Sequence, residues 1–440
     1  MSKESKVLGY SGIALYPTAT QKLQLNKVFG CVRYVYNSMI NAREWEYHKG
    51  ITHFLDKEET PIPGKKYRRT MYEWRKILTT ESKLQYPWLK EAPSVALQQA
   101  VSLADKNYWA MVKNRSQGKK ASLPRKRKYG NQSFELTRTS FSIEITDSKR
   151  NRGYINISKV GKIRFHAGKD ISQASSMIVK LDKTGKYVAA ARLPKVESQH
   201  NDFSSEAIAL DLGLSQYLVS ATTDGEISFI DNPRFYRKGQ RRIARANREF
   251  SRKKKGGSNR KKSRIKLARE NKKVSNQRMD FLHKLSTLIA DNNHAVIMED
   301  LNVAGMSKNK KLSKSIYDAG WGKFISMISY KQMMRNGEIV VIDRFYPSSQ
   351  ICCVCGNRDG KKEISIRKWM CPHCESFLER DINAAINLLD AGGYSESLNA
   401  CGEDIRRILV DPQTLTKQEK PSEKVDEEKG NNPFLMTHPD

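Results

Sequence analysis

The 440-residue sequence has little of what a membrane or secreted protein needs. No apolar run reaches the roughly 18 residues that a membrane-spanning helix requires, and the N-terminus, MSKESKVLGYSG, lacks the apolar segment of a signal peptide. Cysteine is also scarce: there are seven, an odd number, and four of them stand in two pairs with metal-binding spacing. These features argue against a disulfide framework, and we expect a protein without a membrane anchor in a reducing compartment, the cytoplasm of a prokaryote.

Acidic residues are outnumbered as well. Lysine and arginine total 79 against 47 aspartate and glutamate residues, which gives a formal net charge of +32. A charge of this size favours a polyanionic partner, with nucleic acid as the first candidate and a membrane surface as the second. The hydrophobic content of 38% is low for a compact enzyme, and the length is sufficient for roughly two to four domains.

The most informative stretch runs from Ile351 to Leu389 and contains two C-x2-C pairs, separated as in a zinc ribbon. The predicted zinc ligands are Cys352, Cys355, Cys371 and Cys374. Four thiolates close a tetrahedron around Zn²⁺ and leave no open position for a substrate, so this is a structural site. Two alternatives stay open. Cys353 or His373 can replace a ligand only by breaking the two-residue spacer, and the four can also be unrelated core cysteines.

The N-terminal half alternates between strand and helix patterns. A strand from Lys6 to Leu15 is followed by helical apolar spacing, and Pro93 opens a second helix from Ser94 to about Lys113. From Gln132 to Val196, short alternating runs between turns predict an antiparallel β-barrel that the N-terminal strand completes. The predicted boundaries are residues 1–20 for the first barrel strand, 21–121 for a helical insertion and 122–202 for the rest of the barrel.

The C-terminal half carries three predicted buried strands, AIALD, AVIM and GEIVVIDRF. Between the first two, Arg237 to Arg278 contains 19 basic and two acidic residues, which predicts a basic helical hairpin over about 237–290. A helix from Ile382 to Asp390 follows the ribbon. This order fits an RNase H-like α/β domain, so the fold class is multidomain α+β. The predicted boundaries are 203–347 for its first part, 348–378 for the inserted ribbon, 379–395 for its last part and 396–440 for a disordered tail.

Three acidic residues share one property: Asp211 and Glu299 end buried strands, and Asp381 opens the last helix. A carboxylate at the end of an apolar strand is costly unless it is paired, solvated or bound to a metal. Mg²⁺ and Mn²⁺ prefer oxygen ligands, and two such ions about 3.5–4 Å apart can promote in-line phosphodiester cleavage. Each acid alone has a simpler explanation, an N-cap for Asp381 and a surface acid for the others. The predicted catalytic metal site therefore depends on the joint arrangement.

Two basic segments are predicted to contact nucleic-acid phosphates. The first lies in the loop from Arg115 to Lys128, and the second lies at the break in the basic hairpin. A solvated linker or a solvated helix face is the alternative for each. The predicted contacts are Arg125, Lys126, Arg127, Arg252, Lys253, Lys254 and Lys255.

Several motifs together resemble those of TnpB, the family of RNA-guided nucleases encoded by insertion sequences. They are ALDLG, IMEDLNV, SIYDAGWGKF, PSSQICCVCG, KWMCPHC and ERDINAAINLL, with the weaker LYPT, FGCVRYVYN and PSVALQQA in the N-terminal half. The resemblance covers roughly residues 6–395. Two positions depart from the family pattern. Glu375 stands where glycine usually follows the second cysteine pair, and Leu378-Glu379 stands where His-Asp is common.

The resemblance implies a role for each group of residues. Asp211, Glu299 and Asp381 match the acids that hold catalytic Mg²⁺ or Mn²⁺ in the family's RuvC nuclease domain, and the four paired cysteines match its zinc ligands. The barrel would be a wedge domain and the helical insertion a recognition domain. Together they would hold guide RNA and read a short motif beside the DNA target, with Gln98 near that motif.

The combined prediction is an RNA-guided, divalent-metal-dependent endonuclease. It would cleave double-stranded DNA at a single RuvC site next to a short motif that the protein reads, while base pairing with guide RNA selects the target. We expect one protein monomer per guide RNA and no membrane partner. Two other functions stay open: a nuclease-silent RNA-guided or plain DNA-binding protein, and a transposase that joins strands, for which we find no histidine pair with a tyrosine nucleophile.

Overall fold

The structure is a computed structural model that describes residues 8–49, 69–126, 132–194, 203–363 and 365–394. Two sequence predictions lie outside the described residues: the phosphate contact of Arg127 and the disordered tail over 396–440. The chain divides into two compact units, one formed by Met1–Glu197 with Ile243–Lys272 and the other by Ser198–Arg242 with Lys273–Asp440. No helix in the described ranges is both long and apolar enough to cross a bilayer.

The first unit is built on a seven-stranded antiparallel sheet. Its strands are β1 (Leu8–Tyr16), β2 (Gln132–Thr137), β3 (Phe141–Asp147), β4 (Arg152–Ile157), β5 (Gly161–His166), β6 (Ser176–Leu181) and β7 (Tyr187–Leu193). The order is β2-β6-β7-β1-β5-β4-β3. The N-terminal strand therefore lies at the centre, where Ala14 pairs with His166 on one side and Val188 on the other. The predicted addition of this strand to the later ones is confirmed.

The sheet is curled into a half-barrel, which corrects the predicted barrel. No hydrogen-bonded ladder joins the edge strands β2 and β3 within the described residues. The two edges still approach at one corner, because only Arg138–Ser140 separates them along the chain and the four Cα–Cα steps from Thr137 to Phe141 span at most about 14 Å. Alternating hydrophobicity predicts that strands form one apolar face, but it carries no information about whether the last pair of edges meets.

The α-helices of this part of the chain are α1 (Ala19–Lys49), α2 (Met71–Ile77), α3 (Lys83–Gln85) and α4 (Ser94–Ser116). The two long ones, α1 and α4, cover the apolar face of the sheet. Helix α1 buries residues spaced three and four apart, which include Leu25, Val28, Phe29 and Val32. It packs against α4, and the buried Arg43 guanidinium lies 2.7 Å from Asp105 across this contact. The predicted helix from Ser94 is confirmed and extends to Ser116.

The second unit contains a five-stranded mixed sheet. Its strands are β8 (Ser205–Leu212), β9 (Gln216–Thr222), β10 (Ile227–Asp231), β11 (Asn293–Glu299) and β12 (Glu338–Ile342), in the order β10-β9-β8-β11-β12. Strands β8, β11 and β12 are parallel, whereas β9 and β10 are antiparallel to their neighbours. One prediction is wrong: the third strand, β12, is not buried. Among the described strands it has a neighbour, β11, on one side only, and Val341 is 57% exposed.

The remaining helices are α5 (Phe235–Arg252), α6 (Ser258–Asn292), α7 (Val303–Met306), α8 (Ser313–Ala319), α9 (Trp321–Arg335) and α10 (Arg380–Ala391). The stretch Ile243–Lys272 of α5 and α6 belongs to the first unit, and helices of the second unit pack on both faces of its sheet. Side chains of α6 and α9 share a core with one face, represented by Leu210 and Met298, while α10 packs on the other, represented by Ala209 and Ile297. Helices α5 and α6 are the predicted basic hairpin, with a break at Gly256, whose φ is +87°.

Candidate active site and metal centres

The four predicted zinc ligands converge beside a small hairpin formed by β13 (Lys368–Met370) and β14 (Phe377–Glu379). The sulfur of Cys352 lies 3.7 Å from that of Cys374, and the sulfur of Cys355 lies 3.8 Å from that of Cys371. A tetrahedron with Zn–S bonds of about 2.3 Å has sulfur–sulfur edges of about 3.8 Å, so the donor set fits zinc. Cys353 and His373 are not members of this group, whose ligand atoms all lie within 4.8 Å of one another.

Each of the two cysteine pairs is followed by a turn with the same hydrogen-bond pattern. After the first pair, the amide of Gly356 donates to the carbonyl of Cys352 at 2.8 Å, and after the second, the amide of Glu375 donates to the carbonyl of Cys371 at 2.9 Å. Both turn residues have left-handed backbone, with φ of +72° at Gly356 and +60° at Glu375. The departure noted at residue 375 therefore keeps the turn but places a side chain where glycine is favoured.

Strand register brings two of the three acids together. In the parallel pair of β8 and β11, Leu210 lies opposite Met298, so the next residues are neighbours at the same edge of the sheet: Asp211, one residue before the end of β8, and Glu299, the last residue of β11. Side chains alternate between faces. Asp211 therefore shares the face of Ala209, and Glu299 shares that of Ile297, which is the face covered by α10.

Helix α10 brings the third acid to this edge. Ile382 in its first turn packs against Val219 of β9, and Val219 is the residue paired with Asp211. The helix therefore begins near the end of β8 and carries Asp381 there. The simpler explanation of Asp381 as an N-cap is not supported, because the N-cap is Glu379 and no side chain caps the helix.

Burial and the repulsion between the acids perturb the pKa of Asp211. Burial raises the pKa of Asp211, and the charges of Asp381 and Glu299 add to it, so that the pKa reaches about 7 despite the opposing charges of Arg380 and Arg367. Among the described residues, the four cysteines form the one group of three or more potential ligands whose atoms all lie within 4.8 Å of one another, so the three carboxylates do not all approach each other that closely. A cation between them would remove the repulsion that raises the pKa.

Glu299 and Asp381 have different partners. Ser348, in the loop after β12, donates its hydroxyl hydrogen to Oε1 of Glu299 at 2.8 Å. Arg367 of the ribbon donates from one terminal nitrogen to both carboxylate oxygens of Asp381, at 3.0 and 3.2 Å. Glu299 thus accepts from a neutral hydroxyl, and Asp381 pairs with a cation. The positive charges that act on Asp211 are those of Arg380 and Arg367.

Sequence reasoning missed two buried amides on α10 and one buried acid. Asn383 and Asn387 are almost fully buried and donate to the carbonyls of Ser348 and Ile351. Their signal was two polar residues four apart on an apolar helix, and buried polar groups require partners. Both carboxylate oxygens of Asp318 accept from the backbone amide of Tyr236 at the start of α5, and Asp318 also forms an ion pair with Arg278. It positions the basic hairpin, and no periodicity indicated that role.

The predicted nucleic-acid contacts have different environments. Gln98 is half-buried on α4, and Arg125 is exposed. Lys126 is used within the protein: its ammonium donates to the carbonyl of Ser133 at 3.1 Å and lies over the ring of Tyr36. The contacts at the hairpin break are exposed residues: Arg252, Lys253, Lys254 and Lys255. Arg260 holds this turn by donating to the carbonyl of Lys253 at 2.7 Å.

Three family models match separate parts of the chain. A model described as "Probable transposase" matches residues 192–310, one described as "Cas12f1-like, TNB domain" matches 321–388, and one for a helix-turn-helix domain matches 12–52. The second spans the ribbon and most of α10. Within residues 12–52, which the helix-turn-helix model matches, the described residues form the end of β1 and one continuous helix, α1. They do not contain the turn between two helices that such a domain uses.

Two curated relatives are similar over nearly their whole length. A protein of Streptomyces pristinaespiralis named "Putative RNA-guided DNA endonuclease" is 34% identical, covering 89% of this chain and 90% of the relative. The Escherichia coli K12 protein "Putative RNA-guided DNA endonuclease InsQ" is 27% identical, covering 89% and 93%. The fold resembles the cryo-EM structure of a Cas12f1–sgRNA–target DNA complex, with a TM-score of 0.53, 15% identity and coverage of 84% and 82%.

Proposed function

The chain belongs to the TnpB family of RNA-guided DNA endonucleases, and from this premise we propose that guide RNA directs it to double-stranded DNA, which it cleaves at one carboxylate site. The observation that carries the proposal is the arrival of Asp211, Glu299 and Asp381 at one edge of the second sheet. These three acids come from sequence positions far apart, and no ion pair or hydrogen-bond network among the described residues joins all three.

The second unit is proposed to be an RNase H-like RuvC domain. The mixed sheet with order β10-β9-β8-β11-β12, and a helix across the face that carries the acids, support this assignment. The zinc ribbon is proposed to be an insertion between β12 and α10, and the ranges 203–347, 348–378 and 379–395 remain predictions for the three parts. We further propose that zinc has a structural role here, because four cysteine ligands leave no open position.

The acids are proposed to hold Mg²⁺ or Mn²⁺. A pair of such ions, when bound, would stabilise the attacking and leaving oxygens of the cleaved phosphodiester. The chemistry of the residues supports this use, because three oxygen-donor side chains come to one edge of the sheet. Within the protein, Asp211 must lose its proton to bind a cation, and its pKa of about 7 makes that loss pH-dependent near neutrality.

The first unit and the basic hairpin are proposed to hold guide RNA and target DNA. Their support is charge: the hairpin break exposes four consecutive basic side chains that lie outside the helix cores. The wedge role of the half-barrel, the recognition role of residues 21–121, the reading of a short motif near Gln98 and one protein monomer per guide RNA are proposals that follow from the family.

The decisive experiment compares Asp381→Asn with Asp390→Asn in the ribonucleoprotein. Asp390 is the matched control, since it is exposed near the other end of the same helix. We expect Asp381→Asn to lose cleavage of target DNA in Mg²⁺ by at least about 100-fold, since one metal ligand is removed, and to keep guide-dependent DNA binding. The Asp390→Asn protein should cut like the parent. Parental cutting by Asp381→Asn would refute the proposed active site.

The same preparation tests the two other functions. A nuclease-silent binding protein would bind target DNA with guide RNA and leave it intact in Mg²⁺ even with all three acids present. A strand-joining function is favoured by one observation, the match of residues 192–310 to a model described as "Probable transposase". Incubation with transposon ends should yield no joined product if the proposal is correct, and joined strands would support the transposase instead.

A further inference from the structure

The loop between β12 and the zinc ribbon is held against the acidic edge by two buried amides. Asn387 donates to the carbonyls of Ser348 and Ile351, each at 2.7 Å, and Asn383 donates to the same two carbonyls at 3.2 and 2.7 Å. The carbonyl oxygen of Asn383 accepts the amide of Cys353 at 2.9 Å. The loop is thus fixed at three backbone positions by one helix, α10.

This arrangement fixes the side chain of Ser348 as well as its backbone. Ser348 is 6% exposed, and its hydroxyl donates to Oε1 of Glu299 at 2.8 Å. An ionised carboxylate only accepts hydrogen bonds, so the serine must be the donor. Within the described residues this is the one hydrogen bond made by the Glu299 side chain, and the second oxygen, Oε2, is left for another ligand.

We propose that Ser348 is the positioning residue of Glu299, holding one carboxylate oxygen so that the other faces the metal-binding edge. The inference rests on the proposed function, because it assumes that Glu299 binds a cation. A hydrogen-bond partner that orients a metal-binding side chain reduces the conformational freedom which that side chain must lose when the metal binds. Loss of such a partner lowers metal affinity or activity by roughly 10–100-fold. A neutral donor such as serine orients the carboxylate without competing for its charge.

The chain offers a matched pair of variants. Ser348→Ala removes the hydroxyl and keeps the backbone carbonyl that both amides use. Ser349→Ala removes a hydroxyl from the adjacent residue, which is half-buried and has no side-chain hydrogen bond to the described part of the chain. A general effect of truncating this loop would appear in both variants, and a specific effect on Glu299 would appear only in the first.

The test measures metal dependence in the ribonucleoprotein. The half-saturating Mn²⁺ concentration for cleavage is determined for the parent, Ser348→Ala and Ser349→Ala. Mn²⁺ binding is followed separately by electron paramagnetic resonance, with the Glu299→Ala ribonucleoprotein, loaded with the same RNA, as the blank for ions bound elsewhere. We expect Ser348→Ala to need about 10–100-fold more Mn²⁺ in both measurements, with Ser349→Ala within about twofold of the parent and target binding unchanged in the absence of Mn²⁺.

Two results would overturn the inference: a Mn²⁺ requirement of Ser348→Ala within about twofold of the parent, or an equal increase in Ser349→Ala. The Glu299→Ala protein separates this failure from that of the proposed function. If Glu299→Ala cuts like the parent, the active site itself is wrongly assigned. If it is inactive while Ser348→Ala behaves like the parent, only the positioning role of Ser348 fails.

Discussion

Replacing Asp211 by a neutral residue should increase the free energy of unfolding of the protein without catalytic metal. The same substitution should abolish cleavage. Folding raises the pKa of this carboxyl from 3.8 to about 7, chiefly through burial. At a pH above 7 this shift corresponds to at most about 4 kcal/mol of lost stability. Asp211 is half-buried, so solvent screening lowers the expected gain for Asp211→Asn to about 2–3 kcal/mol at pH 8.

The sign of the effect gives it a recognisable pH dependence. The folded pKa is the higher one, so the folded state holds the proton more tightly. The stability lost through ionised Asp211 is therefore absent below pH 3.8, increases between pH 3.8 and 7, and is constant above pH 7. At pH 5 the gain from Asp211→Asn should have fallen to about 1.5 kcal/mol. Added Mg²⁺ should stabilise the parent and leave the variant unchanged, because only the parent keeps the full ligand set.

Urea unfolding of the RNA-free protein measures these differences. The buffer should contain neither Mg²⁺ nor a chelator, so that the cysteine site keeps its zinc. Asp224→Asn is the control, since Asp224 is an exposed acid in the turn between β9 and β10 and should change stability little at either pH. Equal stability of Asp211→Asn and the parent at both pH 5 and pH 8 would refute the electrostatic argument, and with it the claim that the three acids repel one another.

Two further predictions concern the ribbon and the basic hairpin. Glu375→Gly should stabilise the zinc-loaded protein by about 0.5–1 kcal/mol, since relief of left-handed strain at φ +60° exceeds the entropy gained by the unfolded chain; lower stability in thermal unfolding would contradict this. Replacing Arg252, Lys254 and Lys255 together by alanine should weaken nucleic-acid binding and reduce the slope of log affinity against log salt by about 2–3. An unchanged slope in a potassium chloride titration would exclude phosphate contacts at the hairpin break.

Local spacing was sufficient to predict that the four cysteines come together and, to within a residue, where β8 and β11 end. The four cysteines are specified by two-residue spacers, and the structure brings their sulfurs to the distances that zinc requires. Asp211 and Glu299 were found because each follows an apolar run that ends abruptly. Their adjacency depends on strand register, which the hydrophobic pattern of two buried parallel strands constrains only weakly.

Other features depend on contacts between distant parts of the chain. Whether β2 and β3 close a barrel, and whether β12 is central or at an edge, is decided by the number of neighbours a strand acquires, and alternation within a strand does not record it. Ser348 belongs to an unremarkable Pro-Ser-Ser turn in the sequence. Its importance appears only when Glu299, 49 residues earlier, is found to accept its hydrogen bond.

The zinc ribbon and the acidic edge form one physical unit, although zinc takes no part in the proposed chemistry. Strands β13 and β14 have three residues each, too few for independent stability, whereas a structural zinc site contributes about 10–16 kcal/mol of binding free energy. Strand β14 continues directly into α10, so the order that zinc imposes reaches Asp381 without an intervening loop. It reaches Glu299 by a second route, through Asn383 and Ser348. We therefore propose that zinc, when bound by the four cysteines, supports the positions of two of the three acids.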